Sequence, residues 1–285
     1  MRAVTRLLVP TDFSDNAANA FQYALHLART LECEVHVLHV VYPEYDVGMD
    51  VPVVAAQVTE EKIKVSRELI GTFIHRGVAA VFERETEAPT VEGQVVPGTP
   101  VETIARVAEE KDVDLIVMGT RGAHSRWEKW AGTVAAGVVR QAHCHVLVAP
   151  EGATFGPFET VACATDLTAA DPWQIWKVPK LLQTYSPSLY CVHVRTGQNG
   201  QYHLGTEELQ RFYQTHMPSI DIRLFDIQGA TVWNALNDFS ETHQVDLLVV
   251  FQPHRNLVER LFHQSATRRL AIHYRLPLLV LKEGK

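Results

Sequence analysis

The sequence predicts an α/β protein that consists of two tandem domains, each built on a doubly wound parallel sheet. Two observations support this prediction. Short apolar strand patterns alternate with helical patterns along the chain, as they do in βαβ units that form parallel sheets. The same order of patterns then occurs twice, so that "DLIVMG", which starts at residue 114, is matched by "DLLVVF", which starts at residue 246.

The overall composition agrees with two soluble globular domains. The chain has 285 residues, of which 46% are hydrophobic and 21% are charged, and one domain typically takes about 100–200 residues. A stretch rich in glycine and proline, "PEGATFGP", marks a linker. We therefore predict domains at 1–150 and 158–285, joined by a linker at 151–157.

Charge and cysteine usage limit the expected partners and location. The formal net charge of −7 argues against a nucleic-acid partner, which would favour a basic surface. No apolar run reaches the ~18 residues of a membrane span, and the apolar core at the N-terminus is too short for a signal peptide. The four cysteines form no CxxC pair and lie in or beside apolar runs. This pattern predicts buried thiols in the reducing cytoplasm and no membrane partner.

The first domain begins with a strand, a helix and a second strand. The apolar run "RLLVPTD" ends at Asp12, and the run "EVHVLHVV" covers Glu34 to Val41. Between them, helical spacing starts at Ser14. The apolar face of this helix is formed by Ala17, Phe21, Ala24, Leu25 and Ala28.

The middle of the first domain leaves two interpretations open. The pattern predicts a helix from Thr59 to His75 and a strand from Val78 to Arg84. The following stretch, 84–98, is either one interrupted strand or an inserted hairpin.

The last elements of the first domain have clearer signals. Thr99 to Glu102 form a capping box with Pro100 at the first helical position. "DLIVMG" is continuously apolar, as expected of a strand covered on both faces. A helix from Thr133 to Ala142 leads into the strand "HVLVAP". In the second domain, the corresponding strands are "VACATDL", "SLYCVHV", "DLLVVF" and "LPLLVL".

Glycines near the end of "DLIVMG" predict a ligand site. Ligands of open α/β sheets bind outside the carboxyl ends of the strands, where Gly119 lies. Glycine there permits a positive φ and lets a ligand approach the backbone. Gly132 and Thr133 stand at a helix start, whose N–H groups and positive dipole end favour an anion. The 119–122 turn and the 132–135 helix start therefore predict a phosphate cradle.

The spacing of these glycines resembles a known motif. Gly119-x2-Gly122-x9-Gly132-Thr133 is similar to the G-2x-G-9x-G-(S/T) nucleotide motif of the universal stress protein family. "LLVPTDFSDNAANAFQYALHLA" and "VLHVV" resemble the first strand and helix and the end of the second strand of that family. The resemblance covers nearly the whole chain as two repeats. It implies Rossmann-like, adenine nucleotide α-hydrolase-like domains.

The resemblance also implies a site for ATP with magnesium. Asp12 would contact the ribose or the nucleotide-bound metal, and Val40 would pack on the adenine. No catalytic residue and no metal site made by the protein alone are implied. The set carried over by the resemblance is Pro10, Thr11, Asp12, Val40, Met118, Gly119, Gly122, Gly132, Thr133 and Val134. Arg121, which lies close to the cradle in sequence, could balance the charge of the triphosphate.

The second repeat departs from the motif. The positions of Gly119 and Gly122 hold Phe251 and His254, and the position of Gly132 holds Gln264; Ser265 alone fits the pattern. Since a phenylalanine would fill the space that a glycine leaves open, we predict one nucleotide site per chain, in the first domain.

Purely structural roles are the alternative for several of these residues. The glycines could serve only as turn residues, Asp12 could cap the following helix, and Arg121 could belong to a solvated loop. His143 and His145 lie on one side of a strand pattern, but a zinc site needs three or four ligands, so a metal site is not favoured there.

Three functions fit the sequence. The first is a nucleotide-dependent regulator of stress responses. The second is a slow ATPase or nucleotidyl transferase, although neither an SGGxDS nor an HxGH motif is present. The third is an interaction scaffold without nucleotide. The resemblance further implies that the last strands of the two domains pair as an internal pseudo-dimer, and it leaves open whether two chains form a homodimer.

Overall fold

The structure is a computed structural model that describes residues 4–43, 52–120, 133–166, 174–196, 206–251 and 276–282. The chain divides into two compact units, Val4–Phe155 and Gly156–Lys285. We call them the N-terminal unit and the C-terminal unit and describe each by itself.

The N-terminal unit is a five-stranded parallel sheet with helices. Its strands lie in the order β3-β2-β1-β4-β5, and this order reverses direction between β1 and β4. The strands are β1 (Arg6–Thr11), β2 (Glu34–Val41), β3 (Val91–Pro97), β4 (Leu115–Gly119) and β5 (His145–Ala149). The helices are α1 (Asp15–Leu31), α2 (Pro52–Val81), α3 (Pro100–Glu110) and α4 (Thr133–Gln141), with a short 3₁₀ turn at Glu85–Glu87.

The core of this unit follows the apolar pattern of the sequence. Leu7, Leu8 and Val9 in β1 are almost fully buried, as are Ile116 and Val117 in β4, which is expected when helices cover both faces of a parallel sheet. The apolar face predicted for α1 is confirmed, because each of its five residues is buried. Burial of these side chains supplies the main stabilising term for the sheet.

The predicted strand from Val78 to Arg84 is wrong, because α2 continues to Val81. Val78 and Phe82 are buried, and the alanines between them are exposed, so this run is buried at helical spacing. The strand of this region is β3, which begins at Val91. Thus neither an interrupted strand over 84–98 nor an inserted hairpin describes this stretch.

The capping box predicted at the start of α3 is only partly present. Thr99 is the N-cap residue and Pro100 is the first helical residue, but the Thr99 side chain makes no capping hydrogen bond. Gly98, with a φ of 151°, precedes the cap, and its N–H donates to the carbonyl of Val41 at 3.0 Å.

The C-terminal unit has the same strand order as the N-terminal unit. Its strands lie in the order β10-β9-β6-β7-β8, and all neighbouring pairs are parallel. The strands are β6 (Thr160–Ala164), β7 (Ser188–Arg195), β8 (Ile222–Gln228), β9 (Leu247–Phe251) and β10 (Leu278–Leu281). Its described helices are α5 (Lys177–Leu181), α6 (Thr206–His216) and α7 (Val232–Thr242).

The two units also share hydrogen bonds at matching positions. The carboxylate of Asp114 accepts the N–H groups of Thr5 and Arg6 at 2.7 and 3.1 Å. In the C-terminal unit, the carboxylate of Asp246 accepts the N–H groups of Glu159 and Thr160, at the start of β6, at 2.9 and 2.8 Å. Each aspartate precedes the strand next to the first strand of its unit, so each ties the start of one strand to its neighbour.

The cysteines remain thiols, and three of the four are buried. Burial, with the nearby carboxylates of Asp114 and Glu34, raises the pKa of the Cys33 thiol to about 12. Burial also raises the pKa of Cys163. In the part of the chain that the structure describes, no helix combines the length and the apolar character needed to cross a bilayer.

Candidate functional site

The candidate site lies where β1 and β4 end, at the reversal of strand order in the N-terminal unit. The paired register of these strands joins Leu7 to Leu115 and Leu8 to Ile116. Both strands continue for three residues beyond this last pair, to Thr11 and Gly119. The strands therefore separate toward their carboxyl ends, and such a crevice is where open α/β sheets bind ligands.

The turn between β1 and α1 is fixed by its own side chains. The Thr11 hydroxyl oxygen accepts the N–H of Phe13 at 3.0 Å. The Asp12 carboxylate accepts the N–H and the hydroxyl of Ser14 at 3.1 and 2.6 Å. Ser14 is the N-cap of α1, since its hydroxyl oxygen accepts the N–H of Ala17 at 3.2 Å. Asp12 is thus exposed at the crevice and holds the capping residue; it does not cap the helix directly.

A histidine that sequence reasoning overlooked braces this turn. His39 in β2 has its Nδ1 2.8 Å from the carbonyl oxygen of Thr11, and because a carbonyl only accepts, Nδ1 carries the proton. The His39 ring stacks on Phe13 with centroids 4.3 Å apart, and Phe73 of α2 meets Phe13 edge-on at 5.7 Å. The available signal was the repeat of "LHV" and "VHV" at the same position of both halves.

Of the two reasons predicted from sequence for Gly119, the positive φ is wrong, and the approach of a ligand to its backbone stays a prediction. Its φ is not positive. A Cβ built on it would lie 3.0 Å from the carbonyl oxygen of Asn16 and 3.3 Å from the carbonyl carbon. The missing side chain therefore lets the first turn of α1 lie against the end of β4, and this brings the Thr11–Ser14 turn next to the β4 end.

The other predicted residues fall into three groups. Thr11 and Met118 are buried, at 7% and 5% exposure, and Pro10 and Val40 are half-buried at the same edge of the sheet. α4 begins at Thr133, and Val134 is half-buried in its first turn. The remaining predicted residues, Arg121, Gly122 and Gly132, lie outside the described residues.

No alternative metal centre emerges from the described ranges. Within them, no group of three or more histidine, cysteine, aspartate or glutamate side chains could hold a metal ion. His143 is instead 3.6 Å from the carboxylate of Glu109. As a ligand for a hard cation such as magnesium, the Asp12 carboxylate has the right chemistry and the required exposure.

These features agree with the comparison with known families. The model of the universal stress protein family matches residues 3–150, just over half of the chain. The chain belongs to the universal stress protein family.

Relatives and solved structures extend this result. The universal stress protein MJ0531 of Methanocaldococcus jannaschii is 30% identical over 144 residues, which cover 50% of this chain and 80% of that protein. YxiE of Bacillus subtilis is 29% identical over 154 residues, covering 50% of this chain and 97% of its own length. A universal stress protein from Archaeoglobus fulgidus DSM 4304 covers 99% of this chain and 97% of its own, with a TM-score of 0.71 and 20% identity. The last likeness extends the fold to both units.

The C-terminal unit of this universal stress protein has a different surface at the equivalent place. His193 repeats the hydrogen bond of His39, with Nδ1 2.9 Å from the carbonyl oxygen of Thr165. At the position of Gly119, however, β9 ends with Phe251, which is 1% exposed. At this position the C-terminal unit thus has a buried aromatic side chain, where the N-terminal unit has a glycine.

Proposed function

We propose that this universal stress protein binds ATP with magnesium at the crevice of its N-terminal unit and acts as a nucleotide-dependent regulator of stress responses. The observation that carries the proposal is the convergence at the β1 and β4 ends. The exposed Asp12 carboxylate is held by Ser14, and Gly119 brings this turn against β4. We place the domains at 1–150 and 158–285 and the protein in the cytoplasm.

Each part of the crevice has a role in this proposal. The half-buried Pro10 and Val40 offer apolar contacts to the adenine, and Asp12 binds the ribose or the magnesium ion. The first turn of α4, which starts at Thr133, offers N–H groups and a positive dipole end to the phosphates. The 119–122 glycines and Gly132 would complete that phosphate cradle, with Arg121 as a counter-charge.

Regulation follows from linkage. A nucleotide can change the protein's partner preference only through different affinities for two conformations. The segment that carries the glycine motif joins β4 to α4 in sequence, so we propose that ATP acts through this connection. Pairing of the last strands of the two domains is part of the same sequence-based proposal. Association of two chains is also part of it and is tested by the mass of the particle in solution.

The decisive experiment is a calorimetric titration of ligand-stripped protein with ATP and magnesium. We expect one site per chain and a loss of at least tenfold in affinity for Asp12→Ala. The matched control is Asp166→Ala, which removes the corresponding carboxylate of the C-terminal unit and should leave the affinity within twofold. Two sites per chain would contradict the single-site proposal, and no binding would favour a nucleotide-independent scaffold.

A further inference from the structure

Phe13 holds an unusual backbone conformation at the candidate site. Its φ is 63°, in the left-handed region that bulky side chains rarely adopt. Such strain persists only where the surrounding contacts enforce it, and it is concentrated at functional sites. Here the enforcing contacts are the N–H bond to the Thr11 hydroxyl, the stack on His39 and the edge contact with Phe73.

His39 makes two contacts with the turn that contains the strained residue. Its Nδ1–H donates to the Thr11 carbonyl, two residues before Phe13, and its ring stacks on the Phe13 ring. One side chain of a rigid strand therefore fixes the backbone and the side chain of the turn that presents Asp12. The stack is close to parallel, with 26° between the ring planes, a geometry that adds to simple burial.

Comparison with the C-terminal unit shows which of the two His39 contacts is shared by both units. His193 makes the same hydrogen bond to Thr165 at 2.9 Å. By sequence, however, the residue at the Phe13 position is Leu167, which has no ring to stack. The hydrogen bond is thus common to both units, and the aromatic brace on a strained turn is a feature of the unit that carries the glycine motif.

We propose that His39 is a positioning residue that holds the Thr11–Ser14 turn, and with it Asp12, in the conformation that binds nucleotide. This inference rests on the proposed function. It assigns the two contacts of His39 separate contributions, the hydrogen bond to the Thr11 carbonyl and the ring stack on Phe13. When both contacts are lost, Phe13 relaxes to a negative φ and the Asp12 carboxylate leaves the crevice.

Three substitutions separate these contributions. His39→Leu removes both contacts, and we expect ATP affinity to fall at least tenfold. His39→Asn keeps a donor near the Nδ1 position without a ring, and His39→Phe keeps a ring without a donor. Each should restore part of the affinity lost in His39→Leu, a rescue that general destabilisation would not produce.

The test combines calorimetry with hydrogen exchange of the full-length chain, and His193→Leu is the matched control. We expect His39→Leu to accelerate exchange of the peptide spanning residues 11–18 without ATP, whereas His193→Leu should leave that peptide and the ATP affinity unchanged. Equal loss of affinity in both leucine variants, or no rescue by Asn and Phe, would overturn the inference. If the unsubstituted protein bound no ATP, the proposed function would fail, and unchanged exchange of the turn in His39→Leu would separately refute the positioning role.

Discussion

At the scale of single residues, the position of the candidate site depends on a side chain that is missing. The ideal Cβ of Gly119 would come 3.0 Å from the backbone oxygen of Asn16, and a helix backbone cannot move aside as a flexible side chain can. The glycine therefore sets how closely α1 approaches β4. Such a contact between distant parts of the chain leaves no local pattern, which is why sequence reasoning explained Gly119 only by a positive φ and by the approach of a ligand.

We predict opposite effects for alanine at two glycines. Gly119→Ala should destabilise the protein by about 1 kcal/mol, since α1 must shift to avoid overpacking. Gly71 lies in α2 with nothing within 4 Å of an added Cβ, so Gly71→Ala should stabilise it by up to about 1 kcal/mol through helix propensity. Urea unfolding measures both changes. A stabilised Gly119→Ala protein would contradict the packing argument.

The burial of each cysteine predicts how fast its thiol reacts. The raised pKa of Cys33, about 12, leaves almost no thiolate at pH 8, and thiolate is the reactive species. Cys163 and Cys191 are fully buried, whereas Cys144 is partly exposed. We expect a disulfide reagent to label Cys144 first and the other three only after unfolding. Rapid labelling that survives in Cys144→Ser would show this ranking to be wrong.

At the scale of elements, sequence patterns predicted most strands and helices. They failed for a strand with few buried side chains and for a contact between residues that are distant in sequence. β2 was placed correctly because it is a mostly apolar run, and α1 because its apolar residues recur at helical spacing. The bounds of β3 were not predicted within 84–98, since its exposed residues include Glu92 and Gln94 and an edge strand tolerates polar and charged side chains. The brace of His39 on the β1–α1 turn escaped for a related reason: it joins residues 28 apart.

The helix caps predict which hydroxyl groups contribute to stability. Ser14 and Thr231 cap α1 and α7 with their side chains, at 3.2 Å to the N–H of Ala17 and of Asn234, but Thr99 makes no such bond. Ser14→Ala and Thr231→Ala should each cost about 1 kcal/mol of unfolding free energy, and Thr99→Ala should cost much less. Equal costs at all three caps, measured in urea, would mean that the Thr99 hydroxyl also caps its helix.

The stability of the fold should depend on pH through Glu34, where β1 pairs with β2. The pKa of the Glu34 carboxyl is lowered by its hydrogen bond from Arg6 and then by His36, whose Nε2 is 3.2 Å away. Because this pKa is lower in the folded than in the unfolded chain, the carboxylate stabilises the fold above its ordinary pKa of about 4.3. That contribution disappears as the pH falls through the folded pKa. With Glu34 more than a third exposed, it should not exceed about 1 kcal/mol.

Glu34→Gln tests this effect. Urea unfolding should show a smaller loss of stability between pH 6 and pH 3 for the variant than for the unsubstituted protein. Glu110→Gln is the control, since it removes a carboxylate from an exposed pair with Arg106 on α3. An identical pH response of Glu34→Gln and the unsubstituted chain would exclude a contribution from this pair.

At the scale of the whole molecule, two units of one topology differ at one edge of the sheet. In both units an aspartate accepts N–H groups at the start of the first strand. In both, a histidine also forms a hydrogen bond with the carbonyl of the threonine at the carboxyl end of that strand. Because these bonds are present in both units, they do not by themselves distinguish the two units as ligand sites. The difference between Gly119 and Phe251 lies at the strand end that borders the proposed crevice, and it was readable from sequence because the two halves can be aligned.

This asymmetry predicts that ATP stabilises one unit only. A ligand at about 100 times its Kd adds roughly 2.7 kcal/mol to the stability of the structure that binds it. Hydrogen exchange with ATP and magnesium should therefore slow in peptides from β1, α1 and β4, while peptides from β6 and β9 exchange as before. In Asp12→Ala, the same nucleotide concentration should protect neither set, which separates binding at the crevice from an effect of ATP on the solvent. Equal protection of both units would mean that Phe251 does not prevent nucleotide binding, and the explanation of the glycine motif by space at the strand end would have to be abandoned.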